Sequence, residues 1–189
     1  NIQNTITSSG FPVTARSPER KLLLITGHRR ENFGEGFKNI CEAIREIASM
    51  YTNLDLVYPV HMNPNVTGPV KKILTGIDNV YLINPLPYEA FIYLMRLSDI
   101  ILTDSGGIQE EAPSLSVPTV VMRETTERRE AVDAGTVALV GTDREKIIDT
   151  VSRLMDNSEI YRKMANSVNP YGDGKAAGRI VDFLKKELT

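Results

Sequence analysis

The residues whose types and spacing best suit a chemical role lie in one segment, residues 103–112, which reads TDSGGIQEEA. A compact apolar run precedes it and predicts a buried strand, and residues 108–115 have the composition of a short helix. A strand that breaks at Ser105-Gly106-Gly107 and continues as a helix leaves backbone N–H groups unpaired. These donors and the helix dipole together favour an anion, most often a phosphate. The glycines permit close approach of the backbone, and the Ser105 hydroxyl could cap the helix or contact the ligand.

The same residues fit a plain strand-to-helix turn equally well, and they match neither a Walker loop nor a G-x-G-x-x-G fingerprint. Glu110 and Glu111 in the first turn suit the positive end of the helix dipole. A carboxylate beside a bound phosphate would repel it, however. We therefore expect one of the two glutamates to bond to sugar hydroxyls instead.

The two histidines of the chain follow two different predicted strands. His28 comes after residues 21–26, and His61 comes after residues 54–60. The carboxyl ends of parallel strands lie at one edge of a sheet, where ligands of such folds bind. Each histidine alone is more often structural, but their shared position favours a binding role.

Alternating strands and helices must position these residues. Apolar runs predict strands at residues 21–26, 54–60, 80–83, 100–102, 119–122 and 137–140. Helical spacing predicts helices at residues 37–48, 66–77, 88–97, 108–115, 143–154, 159–165 and 175–187. This order predicts an α/β fold, a Rossmann-like parallel sheet with helices on both faces. Residues 1–20 lack periodicity and are expected to form an irregular linker before one domain at residues 21–189.

Composition limits the classes of function. With 189 residues, 41% of them hydrophobic and 24% charged, the chain suits one globular domain or a little more. A formal net charge of −2 gives no basic surface for nucleic acid. No apolar run approaches the roughly 20 residues that span a membrane, and no signal peptide opens the chain. The single cysteine, Cys41, excludes an internal disulfide and fits a reducing cytoplasm, and its place on an apolar helix stripe favours a core thiol.

Five motifs occur in order along the chain: GHRREN (27–32), YPVHMNPN (58–65), TDSGGIQEEAP (103–113), TTER (125–128) and NPYGDG (169–174). Together they resemble the bacterial non-hydrolysing UDP-N-acetylglucosamine 2-epimerases, and the resemblance covers residues 21–189. It implies the UDP-binding, C-terminal half of a glycosyltransferase-B-like two-domain fold. An N-terminal partner domain carrying further acid–base carboxylates is expected to precede Asn1, which is not a methionine.

Members of this family interconvert UDP-N-acetylglucosamine and UDP-N-acetylmannosamine for cell-surface polysaccharides. The resemblance implies anti elimination of UDP to give 2-acetamidoglucal, followed by re-addition of UDP with the opposite configuration at C2. It implies no nicotinamide cofactor and no metal, and a homodimer when full length. We expect this chain alone to bind UDP weakly and to epimerise nothing, because half of the interdomain active site would be missing.

Roles follow by matching residues to the family's motifs. His28 matches the catalytic histidine, and an imidazole pKa of about 6.5 suits proton transfer near neutrality. Arg128 matches an arginine that binds the diphosphate. The remaining UDP-binding matches are Ser105, Gly106 and Gly107 at the diphosphate, Glu111 at the ribose and Phe91 near the uracil. The residues that match a second, allosteric UDP-N-acetylglucosamine site of some members are Arg29, Glu31 and His61.

One residue departs from the family pattern, Thr-Glu-Arg-Pro-Glu, because Arg129 stands at the proline position. This change is expected to free the loop and to add a charge beside the diphosphate. Phe91 taken alone fits a core residue of its helix better, and Glu111 and Arg128 could be surface side chains. Three other functions stay open: a glycosyltransferase of the same fold, a stand-alone nucleotide-sugar-binding module, and a hydrolysing epimerase.

The last predicted helix carries a cluster of apolar residues, Ile180, Val181, Phe183 and Leu184. In two-domain proteins of the implied fold, this helix often crosses onto the first domain. Its apolar face would then be partly exposed in the present chain, which would encourage association.

Overall fold

In the part of the chain that the structure describes, six parallel strands form one sheet. The computed structural model describes residues 1–188. The strands are β1 (Lys21–Thr26), β2 (Leu54–Pro59), β3 (Val80–Ile83), β4 (Ile100–Thr103), β5 (Thr119–Val121) and β6 (Val137–Leu139). They are ordered β3-β2-β1-β4-β5-β6, and every neighbouring pair is parallel. The predicted parallel α/β fold is confirmed.

The helices connect and cover these strands. They are α1 (Ile2–Ser9), α2 (Glu35–Met50), α3 (Pro64–Leu74), α4 (Tyr88–Leu97), α5 (Gly106–Glu111), α6 (Arg129–Asp133), α7 (Arg144–Asp156), α8 (Ser158–Ala165) and α9 (Ala176–Glu187). The short helix α6 was not predicted. Helix α3 begins earlier than predicted because Asn63 accepts a hydrogen bond from the Asn65 N–H and Pro64 suits the first helical position.

Both faces of the sheet are covered by helices. Side chains alternate along β1, so Leu23 and Ile25 face α2, α3 and α7, whereas Leu22 and Leu24 face α1 and α4. This double burial explains why the strands read as continuous apolar runs. Cys41 lies in the first of these two cores, and burial raises the pKa of its thiol to about 12. The prediction of a core thiol is confirmed.

The expectation of an irregular segment at residues 1–20 is wrong for its first half, which forms helix α1. Ile6 is fully buried against the second face of the sheet, and the Gln3 side chain donates a hydrogen bond of 2.8 Å to the Tyr93 hydroxyl. Because only one of its eight residues is buried, α1 shows no apolar stripe in its sequence. Packing rather than intrinsic propensity therefore stabilises this helix.

Residues 11–20 pack at the edge of the sheet where the strands begin. Asp55 of β2 is buried and accepts hydrogen bonds from Arg16 Nε at 3.3 Å and from Arg20 Nε at 2.7 Å. Phe11 is buried in the same core as Ile6. The division of the chain at residue 20 stays a prediction.

Residues 170–188, including the whole of α9, are exposed. The apolar side chains of Ile180, Val181, Phe183 and Leu184 expose between 47% and 62% of their surface. Within residues 1–188, no helix is both long and apolar enough to cross a membrane.

Candidate functional site

The order in which the chain adds strands to the sheet reverses between β1 and β4. From β1 the chain proceeds outward to β3, then returns to β4 and proceeds to β6 on the other side. In open α/β sheets, ligands bind at the carboxyl ends of the strands at such a switch point. A cavity of about 220 Å³ lies there, lined by Thr26, Gly27, His28, Pro59, His61, Pro85, Leu86, Phe91, Ser105 and Ile108. The structure thus brings together four predicted site residues: His28, His61, Phe91 and Ser105.

The turn between β4 and α5 is held by hydroxyl groups beneath it. Thr103 Oγ1 accepts a hydrogen bond from the Ser105 N–H at 2.9 Å and shares another, at 2.6 Å, with Thr26 Oγ1 of β1. Helix α5 begins at Gly106, and the Ser105 side chain makes no capping hydrogen bond. Of the two roles expected for that hydroxyl, the helix cap is therefore wrong. Ser105 is instead one of the residues that line the cavity.

Gly106 lies directly beneath the guanidinium of Arg128. A Cβ at Gly106 would lie 3.1 Å from both Cζ and Nη1 of Arg128, closer than side chains normally approach. A side chain at position 106 would therefore require the Arg128 guanidinium to shift. Two of the residues predicted to hold a diphosphate, separated by 22 positions in the sequence, thus lie close together.

Acidic neighbours hold Arg128 in place. Its Nε donates to Glu110 Oε1 at 2.8 Å, and its Nη1 lies 3.3 Å from Glu127 Oε2. The hydrogen bond to Glu110 is the main cause that raises the pKa of Arg128 above its usual value. Glu111 points to a different partner and accepts a hydrogen bond of 3.1 Å from the Tyr88 hydroxyl. The two adjacent glutamates are thus divided between the guanidinium and a phenol.

A second arginine, Arg123, anchors the same loop from below. It is buried, and its guanidinium donates to both oxygens of Glu127, at 2.8 and 3.2 Å, and to Glu31 Oε1 at 2.9 Å. These contacts hold the pKa of Glu127 down at about 2, the hydrogen bond from Arg123 being the largest cause. Glu31, predicted to contact a second substrate, is therefore linked through two ion pairs to the neighbour of Arg128.

The loop is also bonded to α5 through a pair of polar side chains. Gln109 Nε2 donates to the Ser105 carbonyl oxygen at 3.1 Å, and Gln109 Oε1 accepts from Thr126 Oγ1 at 2.7 Å. Thr126 Oγ1 also accepts from the Arg128 N–H at 3.1 Å. Arg129, in place of the family's proline, is the first residue of α6 and lines a separate cavity with Glu124. Proline is favoured but not required at the first position of a helix. In this chain the hydrogen bonds of Gln109 and Thr126 hold the loop.

The loop after β1 is organised by a buried carboxylate, Asp104. Its Oδ2 accepts the backbone N–H groups of His28 and Arg29, both at 2.8 Å, and the Asn32 side-chain amide at 3.3 Å. The Tyr58 hydroxyl donates to the carbonyl oxygen of Gly27 at 2.8 Å, and burial raises the pKa of that phenol well above its usual value. The backbone of Gly27 and His28 is thus held by side chains from the two strands that flank β1, namely Tyr58 of β2 and Asp104 at the end of β4.

The rings of His28 and His61 are stacked, with centroids 5.4 Å apart and planes inclined by 14°. His61 Nδ1 accepts a hydrogen bond of 3.1 Å from the Asn63 N–H. The predicted convergence of the two histidines on one rim is confirmed by this contact. Phe91 both packs in the core beneath α4 and lines the cavity, so the two interpretations of that residue are compatible.

Four residues that organise the site received no individual role in the sequence-based prediction: Asp104 and Gln109 within the segment 103–112, and Arg123 and Thr126 after the fifth predicted strand. Asp104 directly follows β4, and Arg123 comes two residues after the end of β5, at the edge of the sheet where ligands bind. A charged side chain in such a position was the available signal. Its partners, however, depend on which strands are neighbours.

A parallel sheet with this switch point and helices on both faces defines an α/β protein of the Rossmann-like class. At the level of fold alone, the C-terminal domain of a group 1 glycosyltransferase from Francisella tularensis agrees, with a TM-score of 0.62 at 19% identity. The chain belongs to the UDP-N-acetylglucosamine 2-epimerase family, whose model matches residues 2–185.

Curated relatives named UDP-N-acetylglucosamine 2-epimerase are closely similar in sequence. The protein of Campylobacter jejuni is 59% identical over 167 residues, which cover 88% of this chain and 44% of the relative. That of Escherichia coli K12 is 55% identical over 168 residues, covering 89% and 45%. The chain therefore spans less than half the length of these relatives.

Solved structures extend the similarity to three dimensions. The Neisseria meningitidis UDP-GlcNAc 2-epimerase bound to UDP-GlcNAc matches with a TM-score of 0.85 at 53% identity, over 90% of this chain and 46% of that one. The structure of S. aureus MnaA with UDP matches with a TM-score of 0.82 at 45% identity, over the same shares.

Proposed function

We propose that this chain is the UDP-binding half of an enzyme that interconverts UDP-N-acetylglucosamine and UDP-N-acetylmannosamine. The reaction is anti elimination of UDP to give 2-acetamidoglucal, followed by re-addition of UDP with the opposite configuration at C2. Family membership and the similarity to proteins described with UDP-GlcNAc or UDP bound support the proposal. A partner domain supplies the other wall of the active site, so this chain alone binds UDP and does not turn over substrate.

The observation that carries the proposal is the close approach of the Arg128 guanidinium to the turn at Gly106. A departing diphosphate gains negative charge, and fixed donors aimed at that charge are the main means of stabilising it. Arg128 offers a planar fork for two oxygens, and Gly106 and Gly107 leave the backbone of the turn open to close approach.

Glu110 occupies two of the donor groups that Arg128 would offer to a diphosphate. Its carboxylate shares the Arg128 Nε and Nη2 groups, both at 2.8 Å. A bound diphosphate competes with Glu110 for the same edge of the guanidinium. We therefore assign the ribose to Glu111, whose carboxylate is bonded only to the neutral Tyr88 hydroxyl among the described contacts.

The nucleoside and the reacting sugar then lie along the cavity wall. Phe91 offers an aromatic face for the uracil, and Ser105 lies on the same wall nearer the turn. His28 lines the cavity as well and acts as the acid–base residue of this half of the site. Arg29, Glu31 and His61 are assigned to a second UDP-N-acetylglucosamine that activates the enzyme. The complete enzyme is proposed to be a cytoplasmic homodimer.

Calorimetric titration of UDP into the 189-residue chain tests this assignment. We expect Arg128→Met to weaken UDP binding by about 10- to 100-fold, since hydrogen bonds to a charged group are lost. The matched control is Arg153→Met, which removes an exposed arginine paired only with Asp149 on α7. Gly106→Val, compared with Gly178→Val on α9, tests the turn itself, because a side chain at position 178 meets nothing within 4 Å.

Equal UDP affinity in Arg128→Met and the unmodified chain would overturn the assignment of the site. A second measurement addresses the division of labour between domains. UDP-N-acetylglucosamine incubated with the 189-residue chain should remain unchanged by chromatography. Formation of UDP-N-acetylmannosamine by this chain alone would show that no partner domain is needed.

A further inference from the structure

Within residues 1–188, one oxygen of the buried Asp104 carboxylate has no hydrogen-bond partner. The Asp104 side chain is fully buried, and Oδ1 lies 3.5 Å from Nδ1 of His28, slightly beyond an ordinary hydrogen bond. A buried carboxylate oxygen without a donor is costly. A small rotation of the His28 ring would bring Nδ1 within hydrogen-bond distance of Oδ1.

The other oxygen of Asp104 is saturated, and this fixes the carboxylate. Oδ2 accepts three hydrogen bonds, two from backbone N–H groups at 2.8 Å and one from the Asn32 amide at 3.3 Å. Rotation of the carboxylate would break all three bonds. Oδ1 therefore stays directed at His28, and since an ionised carboxylate only accepts hydrogen bonds, it requires a proton on Nδ1.

We propose that Asp104 is a positioning residue that holds the neutral His28 ring with its proton on Nδ1 and its lone pair on Nε2. The hydrogen bond made by one ring nitrogen decides which nitrogen of a histidine carries the proton. The role given to Nε2, the atom that exchanges protons with the sugar, rests on the proposed function. The position of the proton rests on Asp104 alone.

His61 provides an internal reference of the opposite kind. Its Nδ1 accepts the Asn63 N–H at 3.1 Å, so the neutral His61 ring carries its proton on Nε2. The two rings are stacked with centroids 5.4 Å apart and share one environment. A difference in their protonation therefore reports the hydrogen-bond partner of each ring rather than the surroundings common to both.

Long-range ¹H–¹⁵N correlation spectra of the ¹⁵N-labelled 189-residue chain test this inference. Spectra are recorded at about pH 8.5, where an ordinary imidazole with a pKa of about 6.5 is neutral. The chain has two histidines, and His61→Asn assigns their signals. We expect an N–H signal at Nδ1 of His28 and at Nε2 of His61. A proton on Nε2 of His28 would overturn the inference, and this measurement requires no variant of Asp104.

Asp104→Asn provides the second arm. The three donors at Oδ2 select the amide oxygen, so the NH₂ group faces Nδ1 of His28 and donates to it. The proton of His28 then moves to Nε2, while His61 is unchanged. Asp55→Asn is the matched control, because Asp55 is equally buried but pairs with Arg16 and Arg20 at the opposite end of the sheet. A folded Asp104→Asn chain with the proton still on Nδ1 would contradict the proposal.

UDP titration of the same samples separates this inference from the proposed function. A chain that carries the Nδ1 proton on His28 but binds no UDP supports the role of Asp104 and counts against the proposed function. A chain that binds UDP with the His28 proton on Nε2 does the reverse.

Discussion

Arg123 and Glu127 are joined by two parallel hydrogen bonds, Nη1 to Oε2 at 2.8 Å and Nη2 to Oε1 at 3.2 Å. The remaining edge of the Arg123 guanidinium binds Glu31, 92 residues away in the sequence. The loop after β1 and the loop that carries Arg128 are thus connected through one buried cation.

Arg123→Met should weaken UDP binding by about threefold to tenfold without touching the ligand, since coupled positions of this kind modulate binding by such amounts. Glu127 would then pair with Arg128 alone and draw its guanidinium away from Gly106. Calorimetry measures the change. Arg20→Met, which breaks a comparable pair with Asp55 at the far end of the sheet, should leave UDP affinity unchanged. An equal loss in both variants would show a general effect of stability.

The Glu127 carboxyl should titrate far below its usual range, because the hydrogen bond from Arg123 holds its pKa at about 2, against an ordinary value of 4.5. A lowered pKa in the folded state means that the favourable interaction is fully present above about pH 4.5 and is lost as the pH falls through about 2. Carboxyl resonances followed by NMR across this range check the value. In Arg123→Met the Glu127 pKa should rise. A Glu127 titration near 4.5 in the unmodified chain would contradict the geometry.

Gly141→Ala should destabilise the fold by about 1–2 kcal/mol from backbone strain alone, because Gly141 adopts φ of +62°. The added Cβ would also lie 2.7 Å from Cδ of Glu124, so that side chain must move. Chemical denaturation measures the loss. Gly178→Ala, at a helical position with open space around it, should not lower stability. No loss in Gly141→Ala would mean that this turn tolerates another conformation.

Ile6→Ala should cost about 2–4 kcal/mol, the usual range for emptying a buried aliphatic site, because Ile6 is fully buried beneath α4. Ile2→Ala in the same helix is the control. Ile2 is 41% exposed, and its loss should cost less than about 0.5 kcal/mol. Similar urea midpoints for the two variants would indicate that α1 contributes little to the folded domain.

The exposed apolar face of α9 should promote association of this chain. Ile180 and Phe183 expose 58% and 62% of their surfaces, and contiguous apolar exposure favours contact between molecules. Sedimentation should show association that rises with concentration and that falls in Ile180→Lys/Phe183→Lys. A chain that stays monomeric at high concentration would contradict this prediction.

The sheet and most helices could be predicted because buried parallel strands are continuous apolar runs and helices carry a repeating stripe. Helix α1 could not, since Ile6 is its only buried residue and its stability comes from packing on a distant helix. Helix α3 begins earlier than predicted for a different, local reason, which is the capping of its first turn by Asn63.

Within the site, residues that belong to local motifs could be predicted, but their supports could not. Asp104 contacts the loop of His28 only because β1 and β4 are neighbours, with Thr26 opposite Thr103. Arg123 pairs with Glu31 for a related reason, since both residues follow strands whose carboxyl ends lie at the same edge of the sheet. Strand order is a property of the whole chain, and no short segment encodes it.

The 2.6 Å bond between Thr26 and Thr103 ties the base of the His28 loop to the base of the Ser105 turn. With Asp104 spanning the same gap, these two segments form one stiff cradle. We expect any opening of the adjoining cavity to leave this cradle undeformed and to take place in the segments around it.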